Sequence, residues 1–284
     1  MATATSLMNI TDFAPFVEGL DHPEGVTWGP DGFIYAGGEA GQIYRISLAG
    51  EVTQIGSTEG FILGLAVDGD LNVYACDLAK GAVMKITPGG QVSQYTDNPE
   101  PIPAPNYPVF DAHGNLYFSS SGAWKQHNSK VYCAAPGGKT RVVSEGFPAF
   151  ANGVALSPDG ASLYVVLSNK PGVDRARILE DGSLGAAEHV VTLEGTVPDG
   201  VAFDVEGNLY ICCYTPDRIY RLTPGGVLDM LAEDPESVTF SSPTNICFAG
   251  EDRRTLVVAS LARWHLTKGQ MPIAGAPYHY PKLG

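Results

Sequence analysis

Four oxygen-bearing side chains stand at the same place in a pattern that recurs along this 284-residue chain. At each recurrence the residue precedes a glycine or a tyrosine, and an apolar run and a turn follow. The four residues are Glu24, Asn106, Asn152 and Asp199. Carboxylate and amide oxygens are the ligands that hard divalent cations prefer. Two carboxylates would balance the charge of such a cation, and two neutral amides would add coordination without adding charge.

Asn-Gly and Asp-Gly are also common turn pairs, so Asn152-Gly153 or Asp199-Gly200 taken alone favours a turn. Four oxygen donors in one register are much harder to explain by turns. The pattern therefore predicts that Glu24, Asn106, Asn152 and Asp199 converge on one divalent cation.

The elements that would position these residues are written six times. The recurrences begin at Glu24, Leu63, Asn106, Asn152, Asp199 and Thr244, which lie 39 to 47 residues apart. All but the last contain four short apolar runs separated by glycine turns, and this period is typical of a β-propeller blade. We expect one all-β domain over residues 1–284, a six-bladed propeller of four-stranded antiparallel blades. A β-sandwich or two separate β domains is the alternative.

The last repeat lacks a fourth strand, and the missing piece resembles "DFAPFVEG" at residues 12–19. The sequence therefore predicts that an N-terminal strand at about residues 13–18 completes the last blade and closes the ring. In such a ring the first residue of each innermost strand lies at the mouth of the central channel.

Composition narrows the classes of partner. The net charge is −14, which argues against nucleic acid or an anionic membrane as a partner. No basic leader and no apolar run of membrane-spanning length is visible, so a cytoplasmic location is expected. The five cysteines include no CxxC pair, and we expect reduced thiols. The oligomeric state is left open.

The chain resembles the gluconolactonase and regucalcin family over nearly its whole length. The resemblance rests on "PEG" at 23–25, "PN" at 105–106, "ANGVALSPDG" at 151–160 and "PDGVAFDVEGNLY" at 198–210. It implies a six-bladed propeller with one divalent cation, calcium above all, with zinc or manganese as alternatives. The implied ligands are Glu24, Asn152 and Asp199, with Asn106 beside them and facing the substrate. It also implies hydrolysis of lactones, and a promiscuous activity on phosphotriesters, because relatives hydrolyse organophosphates.

One departure concerns the substrate. Members that act on sugar lactones resemble R-x-N-D in the third blade, whereas this chain reads Ala104-Pro105-Asn106-Tyr107. The arginine that binds sugar hydroxyls is therefore missing, and a tyrosine replaces the aspartate. The departure predicts that the substrate is a non-sugar lactone or ester.

An aromatic rim is expected around the cation. The loops between second and third strands are longest in "SSSGAWKQHNSK" and "SLARWHLTKGQ", and each would place a Trp and a His near the channel. Such a rim suits a substrate with an apolar or planar part. The expected substrate contacts are Tyr107, Trp124, His127, Phe150, Tyr214 and Trp264.

The favoured chemistry is attack of water on a lactone or ester carbonyl polarised by the cation. Asp199 is the expected general base, with a nucleophilic role left open, and Asn106 is expected beside the reacting group. Two alternatives belong to other classes: a metal-independent condensing enzyme like strictosidine synthase, and a non-enzymatic NHL-type binding module. The four oxygen donors argue against both, since neither has a use for them.

Overall fold

A computed structural model of the chain describes residues 6–283. Six antiparallel sheets of four strands each form the blades of a propeller, as the repeats predict. Blades one to three comprise β2 Val26–Trp28, β3 Ile34–Gly37, β4 Gln42–Ile46, β5 Val52–Ser57; β6 Ile62–Val67, β7 Val73–Asp77, β8 Ala82–Ile86, β9 Val92–Gln94; β10 Pro105–Phe110, β11 Leu116–Ser120, β12 Lys130–Ala134 and β13 Thr140–Ser144.

The remaining blades follow the same plan. They comprise β14 Ala151–Leu156, β15 Ser162–Leu167, β16 Gly172–Arg177, β17 Glu188–Thr192; β18 Val197–Phe203, β19 Leu209–Thr215, β20 Arg218–Leu222, β21 Leu228–Glu233; β22 Pro243–Ala249, β23 Thr255–Ser260, β24 His265–Gln270 and β1 Phe13–Val17. Two 3-10 turns, Ile10–Asp12 and Leu261–Arg263, precede β1 and β24.

The N-terminal strand closes the ring, as the sequence predicts. Strand β1 pairs antiparallel with β24, with Phe13 opposite Gly269 and Ala14 opposite Lys268. The ring therefore joins residues from both ends of the chain, and β1 forms the outer strand of the last blade.

The hydrophobic core is divided into six clusters, and each lies between two neighbouring blades. The cluster between blades three and four, for example, contains Tyr117, Phe147, Val154 and Leu163, all buried. Alternating strand residues that point to either side of a blade fill these interfaces.

Turns between first and second strands are fixed by a repeated aspartate. Asp204 accepts the backbone N–H and side-chain amide of Asn208 and the hydroxyl of Tyr210, at 2.7 to 3.0 Å. Asp68 binds Asn72 and Tyr74 in the same way. This explains the recurrent "N-x-Y" in the sequence: it is a buried polar turn rather than a feature of the site.

The C-terminal segment crosses the far end of the channel. The Tyr280 hydroxyl donates to the Trp28 carbonyl at 2.7 Å, and the Gly69 N–H donates to the Pro281 carbonyl at 2.8 Å. Beneath it lies a cavity of about 100 Å³ with largely apolar walls. The channel is thus covered at the end opposite to Glu24 and Asp199.

Candidate metal centre

A β-bulge positions the ring residues in five of the six blades. In blade four, Ala151 pairs with Leu167 and Val154 pairs with Val165, so three steps on the inner strand match two on its neighbour. The same shift occurs after Ile62, Pro105, Pro198 and Pro243. A bulge re-aims the side chains of the unpaired residues. The unpaired residues include Leu63, Asn106, Asn152, Asp199 and Thr244.

Close approach of neighbouring inner strands explains the glycine after most ring residues. A Cβ on Gly153 would lie 2.5 Å from the Asp199 carbonyl oxygen and 2.7 Å from Gly200 Cα. These contacts are with backbone, which cannot move aside. The glycines that suggested turns are therefore required by packing around the axis.

The two carboxylates at the mouth lie close enough to influence each other. Burial raises the pKa of Glu24 from its ordinary 4.5 to about 7. Burial, and then repulsion from Glu24, raise the pKa of Asp199 well above its ordinary value. Asp199 is buried and Glu24 is partly buried, so two ionised carboxylates here are unfavourable without a positive partner.

Three buried oxygens at the mouth have no hydrogen-bond partner: Asn106 Oδ1, Asn152 Oδ1 and Asp199 Oδ1. These residues are only 4 to 6% exposed. Buried polar oxygens are normally paired, so three unpaired ones at one place call for a positive ligand. With Glu24 they make an all-oxygen donor set of the kind that binds calcium, and the donors present fit a divalent cation.

The two other ring positions hold no comparable free oxygen. Leu63 is buried and apolar. Thr244 Oγ1 and Asn245 Nδ2 both donate to the Glu24 carbonyl, at 2.8 and 3.1 Å. Blade six therefore anchors the backbone of Glu24 and leaves its carboxylate free to act as a ligand.

Tyr107 is turned into the channel and does not stand on the rim. Its hydroxyl donates to the Val26 carbonyl of blade one at 3.1 Å, and its ring faces Gly64 of the intervening blade. The residue is 8% exposed. The side chain therefore lies inside the channel and not on an exposed rim, and its contact with the substrate stays a prediction.

The aromatic residues expected on the rim lie in segments that adjoin the ring positions. Trp124 packs edge-on against Phe150 with 4.9 Å between ring centres, and Trp264 packs against His22 at 4.6 Å. Trp124 and Trp264 are nearly half exposed. Tyr214 is partly exposed and His127 is exposed.

His265 does not join this rim. It is buried in β24, and its Nε2 lies 2.8 Å from the Thr239 carbonyl. Its contact with the segment that connects blades five and six accounts for its position, whereas the sequence placed it in a loop near the channel.

A second group of ligand-type side chains lies beside the mouth. One atom each of Asp21, His22 and Glu39 fall within 4.8 Å of one another. His22 Nδ1 faces a Glu39 carboxylate oxygen, and Asp21 Oδ2 accepts the Ala40 N–H at 3.0 Å. A protonated His22 would form an ion pair with Glu39 in this arrangement.

The serines next to the ring amides carry no recognisable sequence signal. Ser121 lies 3.0 Å from Asn106 Nδ2, and Ser168 lies 3.2 Å from Asn152 Nδ2. Both follow ordinary strands, so only the position of those strands beside the ring shows what they contact.

Comparison with known proteins adds family information. A family profile described as the SMP-30/Gluconolactonase/LRE-like region matches residues 22–262. The gluconolactonase of Zymomonas mobilis is 26% identical over 262 residues, covering 82% of this chain and 68% of that protein. The 6-deoxy-6-sulfogluconolactonase of Pseudomonas putida is 34% identical over 114 residues, covering 39% of this chain and 38% of that protein.

Among solved structures, a calcium-binding protein, regucalcin, from Agrobacterium tumefaciens has the same fold. It superposes with a TM-score of 0.78 at 18% identity and covers 99% of both chains. Within residues 6–283, no helix is long and apolar enough to cross a membrane.

Proposed function

Because this chain belongs to the SMP-30/gluconolactonase/LRE-like family, we propose that it is a divalent-cation-dependent hydrolase that opens a lactone. The observation that carries the proposal is the set of unpaired buried oxygens of Asn106, Asn152 and Asp199 beside the Glu24 carboxylate. The named relatives that are lactonases support the reaction class.

Glu24, Asn106, Asn152 and Asp199 would hold the cation. Calcium fits best, because all four donors are oxygens and their charges sum to −2. Zinc and manganese are the alternatives to be measured. A bound cation supplies positive charge that favours the developing oxyanion of a carbonyl group at the channel mouth.

Asp199 is the proposed general base. Its side chain is buried at the mouth, and Oδ1 has no competing hydrogen bond. A carboxylate in that position can take a proton from an attacking water. Glu24 serves to hold the cation, and its backbone is fixed by Thr244 and Asn245. Asn106 lies two blades from Glu24 and two blades from Asp199, and it would orient the substrate carbonyl.

The proposed substrate is a lactone or ester with an apolar or planar substituent. No arginine stands beside Asn106, since the preceding residues are Ala104 and Pro105. The exposed rings of Trp124 and Trp264 offer flat apolar surface, Phe150 packs against Trp124, and Tyr214 and His127 would complete the rim. The lactonase relatives named for sugar lactones make this a testable difference.

The test is metal analysis of the purified protein, followed by a panel of sugar, aliphatic and aryl lactones with one aryl phosphotriester. We expect about one divalent cation per chain, loss of turnover on chelation, and recovery with calcium. Aryl lactones should outperform gluconolactone, and any phosphotriester turnover should need the same cation. Full turnover by protein shown to be metal-free would refute the mechanism.

Asp199→Asn separates the roles of the two carboxylates. We expect it to fold and to lose most turnover, whereas Glu24→Gln mainly weakens cation binding. Glu206→Gln, an exposed carboxylate in the same blade, is the matched control and should keep full activity. Wild-type protein that binds no cation and opens no lactone would favour the condensing enzyme or the binding module instead.

A further inference from the structure

We infer that Ser121 and Ser168 are positioning residues that turn the amide oxygens of Asn106 and Asn152 toward the channel axis. The inference rests on the proposed cation site. It concerns how an amide, which has one end that accepts and one that donates, is held with the accepting end inward.

The hydrogen bonds of Ser168 leave only one orientation for Asn152. A serine hydroxyl has a single proton to donate. Ser168 Oγ donates it to the Pro198 carbonyl at 2.7 Å, and that carbonyl can only accept. Toward Asn152, 3.2 Å away, the hydroxyl therefore offers only a lone pair. Asn152 must present its Nδ2 to the serine, which leaves Oδ1 facing away from it.

Ser121 imposes the same logic on Asn106. Its hydroxyl donates to the Ala151 carbonyl at 2.8 Å and accepts from Asn106 Nδ2 at 3.0 Å. Both serines are 1 to 2% exposed, so water does not compete for these bonds. A reversed amide would bring two acceptors together in a buried place, at a cost of roughly 1 to 3 kcal/mol.

The serines occur only where an amide needs orienting. In the blade of Leu63 the equivalent position, one residue beyond the pairing partner of the inner strand, holds Leu78. In the blades of Asp199 and Thr244 it holds Tyr214 and Leu261. A carboxylate has two equivalent oxygens and requires no such orientation.

The same bonds link successive ring residues. The two carbonyl acceptors belong to Ala151 and Pro198, which immediately precede Asn152 and Asp199. Each serine therefore orients the amide of its own blade and fixes the backbone of the next ligand. The chain of contacts runs from Asn106 through blade four to Asp199.

The test measures calcium affinity by titration calorimetry on chelator-treated protein. Ser168→Ala and Ser121→Ala should each weaken calcium binding about ten-fold or more, as loss of a ligand-orienting partner does elsewhere. Ser168→Thr keeps the hydroxyl and should retain most of the affinity. Ser119→Ala is the matched control: it is equally buried, and its hydroxyl contacts the Asn152 carbonyl and the Tyr107 N–H without touching a ring amide.

A double-mutant cycle separates orientation from general damage. In an Asn152→Asp background either carboxylate oxygen can face the axis while the other meets the lone pair of Ser168, so adding Ser168→Ala should not weaken calcium binding further. The unfolding free energy of every metal-free variant is measured alongside.

The outcomes are distinct. Wild-type protein that binds neither calcium, manganese nor zinc overturns the proposed site and this inference together. Tight binding by wild type and by Ser168→Ala alike overturns the inference alone. Equal losses from Ser168→Ala in the wild-type and Asn152→Asp backgrounds, or an equal loss from Ser119→Ala, also overturn it, because they indicate a purely structural role.

Discussion

Removing the cation should make the stability of this protein fall as pH rises, and Glu24 should be a main cause. The pKa of Glu24 in the folded protein is about 7, against an ordinary 4.5, because the carboxyl is buried. The folded state then binds more protons than the unfolded state between these values. The contribution of Glu24 to the unfolding free energy is fully present below about pH 4.5 and is lost as pH rises toward 7.

The magnitude follows from the two pKa values. A rise from 4.5 to about 7 corresponds to roughly 3 kcal/mol at pH 8, since each tenfold change in proton affinity is about 1.4 kcal/mol. Asp199, whose pKa is also raised by burial and by Glu24, acts in the same direction. Chemical denaturation of chelated protein at steps from pH 5 to pH 8 measures the slope.

Glu24→Gln provides the comparison. The variant cannot ionise there, so the chelated variant should exceed chelated wild type by about 2 to 3 kcal/mol at pH 8 and differ little at pH 5. Calcium at a hundred times its dissociation constant should raise the unfolding free energy of wild type by about 2.7 kcal/mol, which removes its deficit relative to Glu24→Gln. Glu206→Gln should follow the wild-type curve. Parallel curves for wild type and Glu24→Gln would refute the reasoning, since the two carboxylates would then lie apart or well solvated.

Three further perturbations address the structure around the site. Tyr107→Phe leaves the Val26 carbonyl unpaired and should lower the unfolding free energy by about 1 to 3 kcal/mol while calcium affinity is retained; an unchanged denaturation midpoint would contradict this. Gly153→Ala brings a methyl group against the Asp199 backbone and should destabilise by about 1 to 3 kcal/mol with weaker calcium binding by calorimetry; wild-type affinity would show that the strands can separate. Trp124→Ala should raise KM for aryl lactones several-fold and leave unfolding within about 0.5 kcal/mol, because the ring is half exposed; unchanged KM would remove it from the rim.

Much of the architecture could be predicted from the sequence because its signals are local and repeated. Glycine turns and apolar alternation mark each strand, and the spacing of the repeats marks each blade. The same register aligned Glu24 with Asn106, Asn152 and Asp199 without any knowledge of distance. The closing role of Phe13–Val17 followed from counting strands in the last repeat.

The features that only the tertiary structure decided depend on contacts between segments that are far apart in the sequence. Asn152 could equally have been a turn residue, until the bulge at Ala151 and the Ser168 hydroxyl placed its amide. Tyr107 was expected on the rim, yet its side chain is buried and its hydroxyl is bonded to the Val26 carbonyl two blades away. His265 was expected near the channel, but it is buried and bonded to the segment that connects blades five and six.

The coverage of the far mouth by residues near Tyr280 had no sequence signal either. Periodicity describes what each segment does with its neighbours along the chain. It contains no information on which donor meets which acceptor across the axis. The sequence by itself therefore determined the ring and the kinds of atoms at its centre, and the packing of six blades decided which way those atoms face.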